Sequence, residues 1–228
     1  FDTPRALLEF YDVASRYDAR MVVQNYIEGR DEEIYELHAY IDRDGELIGS
    51  FTGRKLRTYP IHRGIGCFVR SVVVPGVFDV GLRALRELGY TGHAAVQLKQ
   101  LPGAERFEIF EINCRYSAWN YLHARAGVNL AYAAYRDSLG EKQRPLPSQR
   151  EGIRWVDMAK DMQAFRDYRR LDEWRLGSWL RSYIGMNCYA FFDWADPVPG
   201  LVSPTRTVLR LAGFPLRWSR RRLAAAAR

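Results

Sequence analysis

Residues 107–116 read FEIFEINCRY. Strand side chains alternate between two faces, so a strand here puts Phe107, Ile109, Glu111 and Asn113 on one side and Glu108, Phe110 and Ile112 on the other. A carboxylate and an amide then project together, roughly 6.5 to 7 Å apart at Cα. Two oxygen donors at that spacing suit one hard cation or a cation pair. Magnesium meets the description, since it takes oxygen ligands and is usually held by one or two carboxylates together with substrate phosphates. Taken alone, Glu and Asn two apart on a half-exposed strand also read as plain solvated residues.

The neighbourhood adds a second strand. His93 to Lys99 (HAAVQLK) alternates in the same way, with Ala95, Gln97 and Lys99 on one face, and Leu101 to Ala104 (LPGA) supplies turn chemistry. The two strands form an expected hairpin. With its register centred near residue 104, Gln97 lies across from Glu111 and three oxygen-bearing side chains surround one spot.

An oxygen-bearing strand residue, a short hairpin and then Glu-x-Asn closing the next strand resembles the metal-binding core of the ATP-grasp superfamily, especially its carboxylate-amine ligases. Residues 117–141 (SAWNYLHARAGVNLAYAAYRDSLGE) look like the two helices that close that domain. The resemblance implies that Gln97, Glu111 and Asn113 hold magnesium against ATP phosphates. Two positions depart from the family pattern: Gln97 stands where the family has an acid, and Cys114 where proline is common. A neutral amide offers oxygen without charge, which favours a nucleotide-binding or scaffolding module without catalysis as the alternative to a ligase.

Residues 21–33 (MVVQNYIEGRDEE) resemble the family's hinge, with Met21 to Val23 as a buried strand. The resemblance places Gln24, Asn25, Tyr26 and Ile27 at the adenine edge and Asp31, with Glu32 as its neighbour candidate, on the ribose hydroxyls. Ile34 to Ile41 and Glu46 to Gly53 read as strands joined by the turn Asp42-Arg43-Asp44-Gly45. Residues 53–66 (GRKLRTYPIHRGIG) then read as a basic loop. Arg offers a fork and Lys a point charge to a phosphate or acyl phosphate, so Lys55 and Arg57 are candidate catalytic residues, joined by Arg115 directly after the Glu-x-Asn strand. A solvated basic loop is the plainer reading of the same residues.

Cys67 to Val74 is a further expected strand, and Val77 to Leu88 an amphipathic helix ending at Gly89. Ser117 and Asn129 are expected caps of two short helices. The domain plan is then 1–142 for the C-terminal portion of an ATP-grasp domain, 143–151 for a polar, proline-bearing linker, and 152–228 for a mostly helical extension with an Arg-rich tail. The fold class is α+β: a mainly antiparallel sheet with packed helices, followed by that extension.

Composition bounds the partners. The formal charge is +7 over 228 residues, but residues 203–228 hold seven Arg and no acid, which leaves 27 basic against 27 acidic residues elsewhere. Basicity is therefore a property of the tail. The body gives no reason to expect nucleic acid, whereas the tail could meet anionic lipid or nucleic acid or simply be solvated. Three well-separated cysteines, Cys67, Cys114 and Cys188, suit a reducing, cytoplasmic setting, and no apolar run reaches the roughly 18 residues of a membrane span. The resemblance implies ATP and magnesium as cofactors and a small carboxylate and an amine as substrates. It also implies that the chain, lacking the family's N-terminal half, is incomplete and inactive alone. Oligomeric state is not legible.

Overall fold

The computed structural model describes residues 1–200 apart from Ala19, Asn187 and Trp194. In chain order the elements are α1 (Pro4–Ala14), β1 (Ile34–Ile41), β2 (Leu47–Tyr59), β3 (Ile65–Ser71), α2 (Pro75–Glu87), β4 (Gly92–Gln100), β5 (Phe107–Asn113), α3 (Tyr121–Arg125), α4 (Leu130–Ser138), β6 (Arg154–Val156), α5 (Met158–Arg170), α6 (Leu176–Ser182) and β7 (Cys188–Tyr189). The strands form one sheet in the order β5-β4-β1-β2-β3-β6-β7. Every neighbouring pair is antiparallel except β6 and β7. The α+β class and its mainly antiparallel sheet are as expected.

Apolar side chains cover both faces. Val77, Leu82 and Leu85 recur at helical spacing on α2 and pack on Leu37, Ala39, Val96 and Leu98. On the other face Phe51, Val69 and Trp155 lie beneath Trp119, Leu122 and Leu130 of the α3–α4 region. Central β1, flanked on both edges and covered on both faces, is buried at all eight positions. Truncating a fully buried residue such as Leu85 to alanine should cost about 2–5 kcal/mol.

The β4–β5 hairpin has the expected register, with Gln97 opposite Glu111. Its alternation does not hold throughout. Leu98 is opposite Ile109, so Phe110 is an extra residue in β5, a bulge that exchanges the faces. Phe107, Ile109 and Ile112 all join the α2-side core, while Glu111 meets Gln97 on the other face.

Three local expectations change. Met21 to Val23 is no buried strand: the segment has no strand partner among the described residues, and Val22 and Val23 are exposed. The basic loop is mostly strand, because β2 continues through Tyr59 and leaves only a turn before β3. That turn needs Gly64, whose added Cβ would fall 2.0 Å from the Tyr59 carbonyl carbon. The third helix is also shorter than expected, since Ser117 to Asn120 precede α3 without joining it.

Residues 143–151 have no regular structure, yet they are stitched down. Leu146 N–H donates to the Ile48 carbonyl, and the Gln149 amide bonds Thr52 on both backbone groups and the Val72 carbonyl. Beyond them β6 extends the sheet, and Asp157 caps α5 by accepting from Lys160 N–H. The region after 152 thus contributes two strands besides helices. The Arg-rich tail lies outside the described residues.

Candidate functional site

Glu36 on β1 is the buried root of the site. It pairs with Gln97 on one side and Gly53 on the other, so Glu36, Gln97 and Glu111 form one row across three strands. Lys55 Nζ lies 3.3 Å from Glu36 Oε2 and donates to Gln97 Oε1 at 2.5 Å. Gln97 Nε2 in turn donates to Glu111 Oε2 at 2.5 Å. A polar chain therefore runs from a carboxylate that is 3% exposed to a carboxylate at the surface. Burial pushes the Glu36 pKa up, but neighbouring His38 and Lys55 outweigh it and hold it at about 2.

His38 continues this root inward. Its Nε2 lies 3.0 Å from Glu36 Oε1. His38 packs against His123 at 4.1 Å between ring centroids and His93 at 5.6 Å, and His93 stacks on Tyr116 at 3.9 Å. Burial keeps His93 neutral, lowering its pKa to about 3, and also lowers that of His123 well below the usual histidine range.

Of the three candidate metal residues, Glu111 and Asn113 lie two apart on β5 and Gln97 lies across from Glu111 on β4. Asn113 is opposite Ala95, two pairs along from Glu111 opposite Gln97, which returns it to the same face. Glu111 and Asn113 offer a carboxylate and an amide oxygen on an accessible strand end, a donor set that fits one hard cation completed by water and phosphate. Gln97 does not join it in this arrangement, because its oxygen faces Lys55 and its nitrogen faces Glu111. Among the described residues no three His, Cys, Asp or Glu side chains converge on a metal position.

The other candidates divide. Lys55 belongs to the site, and Arg115 is exposed two residues beyond Asn113. Arg57 does not belong to it. Its guanidinium is fully buried, donates twice to Asp161 at 2.6 and 3.0 Å, and lies between the rings of Phe68 and Trp174. No face is left for phosphate, so Arg57 is a fastening between β2 and α5.

Asp31 is likewise taken up by the protein. Its Oδ2 accepts from Thr58 Oγ1 at 2.8 Å, from His62 N–H at 3.0 Å and from the Tyr168 hydroxyl. With one oxygen saturated and the residue buried, it anchors the entry to β1 instead of presenting a carboxylate to ribose. Glu32 is half-buried beside Arg30 at 3.2 Å. Gln24, Asn25 and Tyr26 are exposed and Ile27 half-buried. This segment is pinned at one end, where Lys99 Nζ donates to the carbonyls of Ile27 at 3.0 Å and Gly29 at 2.7 Å.

Sequence reading missed Glu36, His38, Lys99 and Asp161. Glu36 and His38 had a signal, two polar residues at period 2 within the strand IYELHAYI. Lys99 was already on the Gln97 face. Asp161 had none, because nothing in the sequence of a helix says that an arginine 104 positions earlier lies beneath it.

No family model matches the chain. It is 29% identical over 130 residues to the D-aspartate ligase of Enterococcus faecium (strain Aus0004), a stretch covering 55% of this chain and 30% of that protein. The chain thus spans under a third of the length of that curated relative. Among solved structures it is similar to the biotin carboxylase–βγ-ATP complex of Campylobacter jejuni, with a TM-score of 0.51, 15% identity, and coverage of 67% of this chain and 35% of the other. It is also similar to the biotin carboxylase domain of Hydrogenobacter thermophilus 2-oxoglutarate carboxylase in complex with MgADP, ADP and bicarbonate, with a TM-score of 0.50, 17% identity, and coverage of 65% and 35%. The sheet order and these likenesses agree with the resemblance read from the sequence: the chain shares the fold of these ATP-grasp structures and is similar to a D-aspartate ligase over part of that protein's length.

Proposed function

We propose that this chain is the ATP- and magnesium-binding portion of an ATP-dependent carboxylate-amine ligase. The observation that carries the reading is the placement of Glu111 and Asn113 two apart on β5, with Glu111 at the accessible end of the Glu36–Lys55–Gln97 chain. In the reaction a substrate carboxylate oxygen attacks the γ-phosphorus and ADP leaves. The amine nitrogen then attacks the acyl carbon, phosphate departs, and the amine loses a proton. Magnesium, when bound, neutralises charge on the phosphates. Glu111 and Asn113 hold the cation. Lys55, kept in place by Glu36, puts fixed positive charge beside it, and Arg115 reaches the transferred phosphoryl group from the strand end.

The reading includes that the chain does not ligate by itself. α1 has no buried residue, and Leu8, Phe10, Val13, Val22 and Val23 are exposed. Large apolar side chains exposed in this number are normally covered in a working domain.

A second reading, a nucleotide-binding module without catalysis, is favoured by Gln97. A neutral amide occupied by Lys55 removes one acid from the metal site. Titration calorimetry with ATP, with and without magnesium, tests both on this chain and on Glu111→Ala/Asn113→Ala. Magnesium-dependent binding that the double variant loses supports the metal site. Equal binding by both proteins would sink it, and ligation by this chain alone would overturn the claim of inactivity.

A further inference from the structure

α6 turns its aromatic side chains inward. Trp179 Nε1 and the Tyr183 hydroxyl donate to Asp161, and the Trp179 ring stacks on Phe165 at 4.6 Å. The neighbouring side of the helix is bare. Leu176, Leu180 and Ile184 are 47%, 55% and 71% exposed. They recur every four residues, and the Ile184 N–H donates to the Arg181 carbonyl in the turn that continues the helix, so the three form one stripe. Leu171, ahead of the helix, is exposed as well.

Positive charge borders this stripe. Residues 166–184 hold five Arg and three acids. Of the acids, Asp167 lies against Arg166 and Arg170, and Glu173 against His62. Arg169, Arg175 and Arg181 are exposed and form no ion pair with any described residue. Asp172 alone is left to offset three cations. The sequence beyond the described residues has the same character: residues 203–228 carry seven Arg and no acid, interspersed with Leu209, Leu211, Phe214, Leu216 and Trp218.

Charge separates this surface from the other bare one. Residues 1–18, which include α1, expose Leu8, Phe10 and Val13 but carry four acids against two Arg. A negatively charged surface attracts the α6 stripe and repels α1. Apolar side chains bordered by unpaired arginines suit a helix lying in the headgroup layer of an anionic bilayer, its leucines at the acyl boundary and its guanidiniums on lipid phosphates. Nucleic acid would use the arginines and leave the leucines in water.

We propose that α6 docks this chain on an anionic lipid surface. Leu176, Leu180 and Ile184 enter the headgroup layer, and Arg175, Arg181 and the C-terminal arginines meet the lipid phosphates. The contact is peripheral, since no helix among the described residues is long and apolar enough to cross a membrane.

The test is flotation of the full chain with two kinds of vesicle, neutral phosphatidylcholine and an equal mixture of phosphatidylcholine with anionic phosphatidylserine. The variants are Leu176→Ser/Leu180→Ser/Ile184→Ser, Arg175→Gln/Arg181→Gln and, as a control on α1, Leu8→Ser/Phe10→Ser. Every substituted side chain is exposed, and thermal unfolding checks that each variant folds. The expected result is that the parent floats with the anionic vesicles and stays behind with the neutral ones. Affinity should fall roughly tenfold or more in both α6 variants and stay unchanged in the α1 variant. No flotation with anionic vesicles, equal flotation with neutral ones, or equal affinity in the leucine variant would each overturn the proposal. Binding to double-stranded DNA as tight as to the anionic vesicles, and undiminished in the leucine variant, would assign the arginines to nucleic acid instead. The vesicles contain neither nucleotide nor magnesium, so these outcomes are independent of whether the Glu111 site binds ATP.

Discussion

Arg57 and Asp161 are 104 residues apart in the chain and 2.6 Å apart in the fold, and neither side chain is exposed. Asp161 is the hub of the contact. Besides both Arg57 bonds, it accepts from Trp179 Nε1 at 2.7 Å and from the Tyr183 hydroxyl at 2.5 Å. One carboxylate thus ties β2 to α5 and α6. Burying two charges is costly, and these further bonds to Asp161 offset part of that cost, while Arg57 Nη1 is buried without a hydrogen-bond partner.

Removing the anion should therefore do more harm than removing an ordinary hydrogen bond. Asp161→Ala leaves a buried, unpaired guanidinium, with an expected loss of about 3–5 kcal/mol in urea unfolding. Combining it with Arg57→Met should recover part of that loss, because the stranded charge is gone. A cost under about 1 kcal/mol for Asp161→Ala would show that the pair is not the fastening described.

Tyr168 offers a milder test of the same corner. Its hydroxyl donates to Asp31 and accepts from Thr58 N–H at 3.1 Å. Burial, followed by the bond to Asp31, raises its pKa above the tyrosine range, so it stays neutral and donating. Tyr168→Phe deletes both bonds without changing the ring and should cost about 1–3 kcal/mol. An unchanged unfolding midpoint would mean that Asp31 is held by Thr58 and His62 alone.

Stability should fall toward acid pH. His93 has an ordinary pKa of 6.5 and about 3 in the fold, chiefly through burial and then through His38; His123 is lowered in the same sense. Between those values the unfolded chain takes up protons that the native chain refuses, so stability drops as pH falls from about 6.5 toward 3. The slope approaches about 1.4 kcal/mol per pH unit for each histidine. Glu36, lowered from 4.5 to about 2, adds to the loss only below about 4.5. Urea unfolding at pH 7, 6, 5 and 4 measures this, and His93→Phe should flatten the profile. A profile already flat in the parent chain between pH 7 and 4.5 would refute the neutral, buried assignment.

The hairpin was legible because its information is local. Alternation in HAAVQLK and a proline-glycine turn set the pairing of Gln97 with Glu111, although the Phe110 bulge, a one-residue insertion, carries no signature of its own. The Asn129 cap was legible for the same reason and accepts from the Tyr132 N–H, whereas Ser117 caps nothing because α3 begins only at Tyr121. Arg57 and Asp31 failed the same reading. A charged residue is expected at the surface unless its partner is known, and their partners, Asp161 and Tyr168, lie in a region read as an appended extension. Lys55 was read as a loop cation; its strand position depends on β3 pairing beyond Gly53, which composition does not announce.

Lys99 should control the order of the segment before β1. It is 7% exposed, bonds two carbonyls of that segment, and lies 5.5 Å from the ring centroid of the exposed Tyr26. Lys99→Met keeps much of the stem and loses the charge and its donors. Amide hydrogen exchange should then rise across residues 22–30 while the β1 and β4 amides keep their protection. Equal exchange in both proteins would show that the segment is ordered by other means.

Gln97 decides between the two functional readings. In Gln97→Glu the new carboxylate still meets the Lys55 ammonium but can no longer donate to Glu111, so two carboxylates face each other across β4 and β5. That repulsion is relieved by a cation between them. Unliganded stability should fall, and magnesium should restore it more in the variant than in the parent chain. Magnesium-dependent ADP affinity should rise roughly tenfold, equivalent to about 1.4 kcal/mol. A large rise means that the parent site is short of one negative charge, which favours the non-catalytic module. Unchanged affinity, with Lys55 simply pairing with the new acid, means that Glu111 and Asn113 already suffice, and the ligase reading keeps its metal site as it stands.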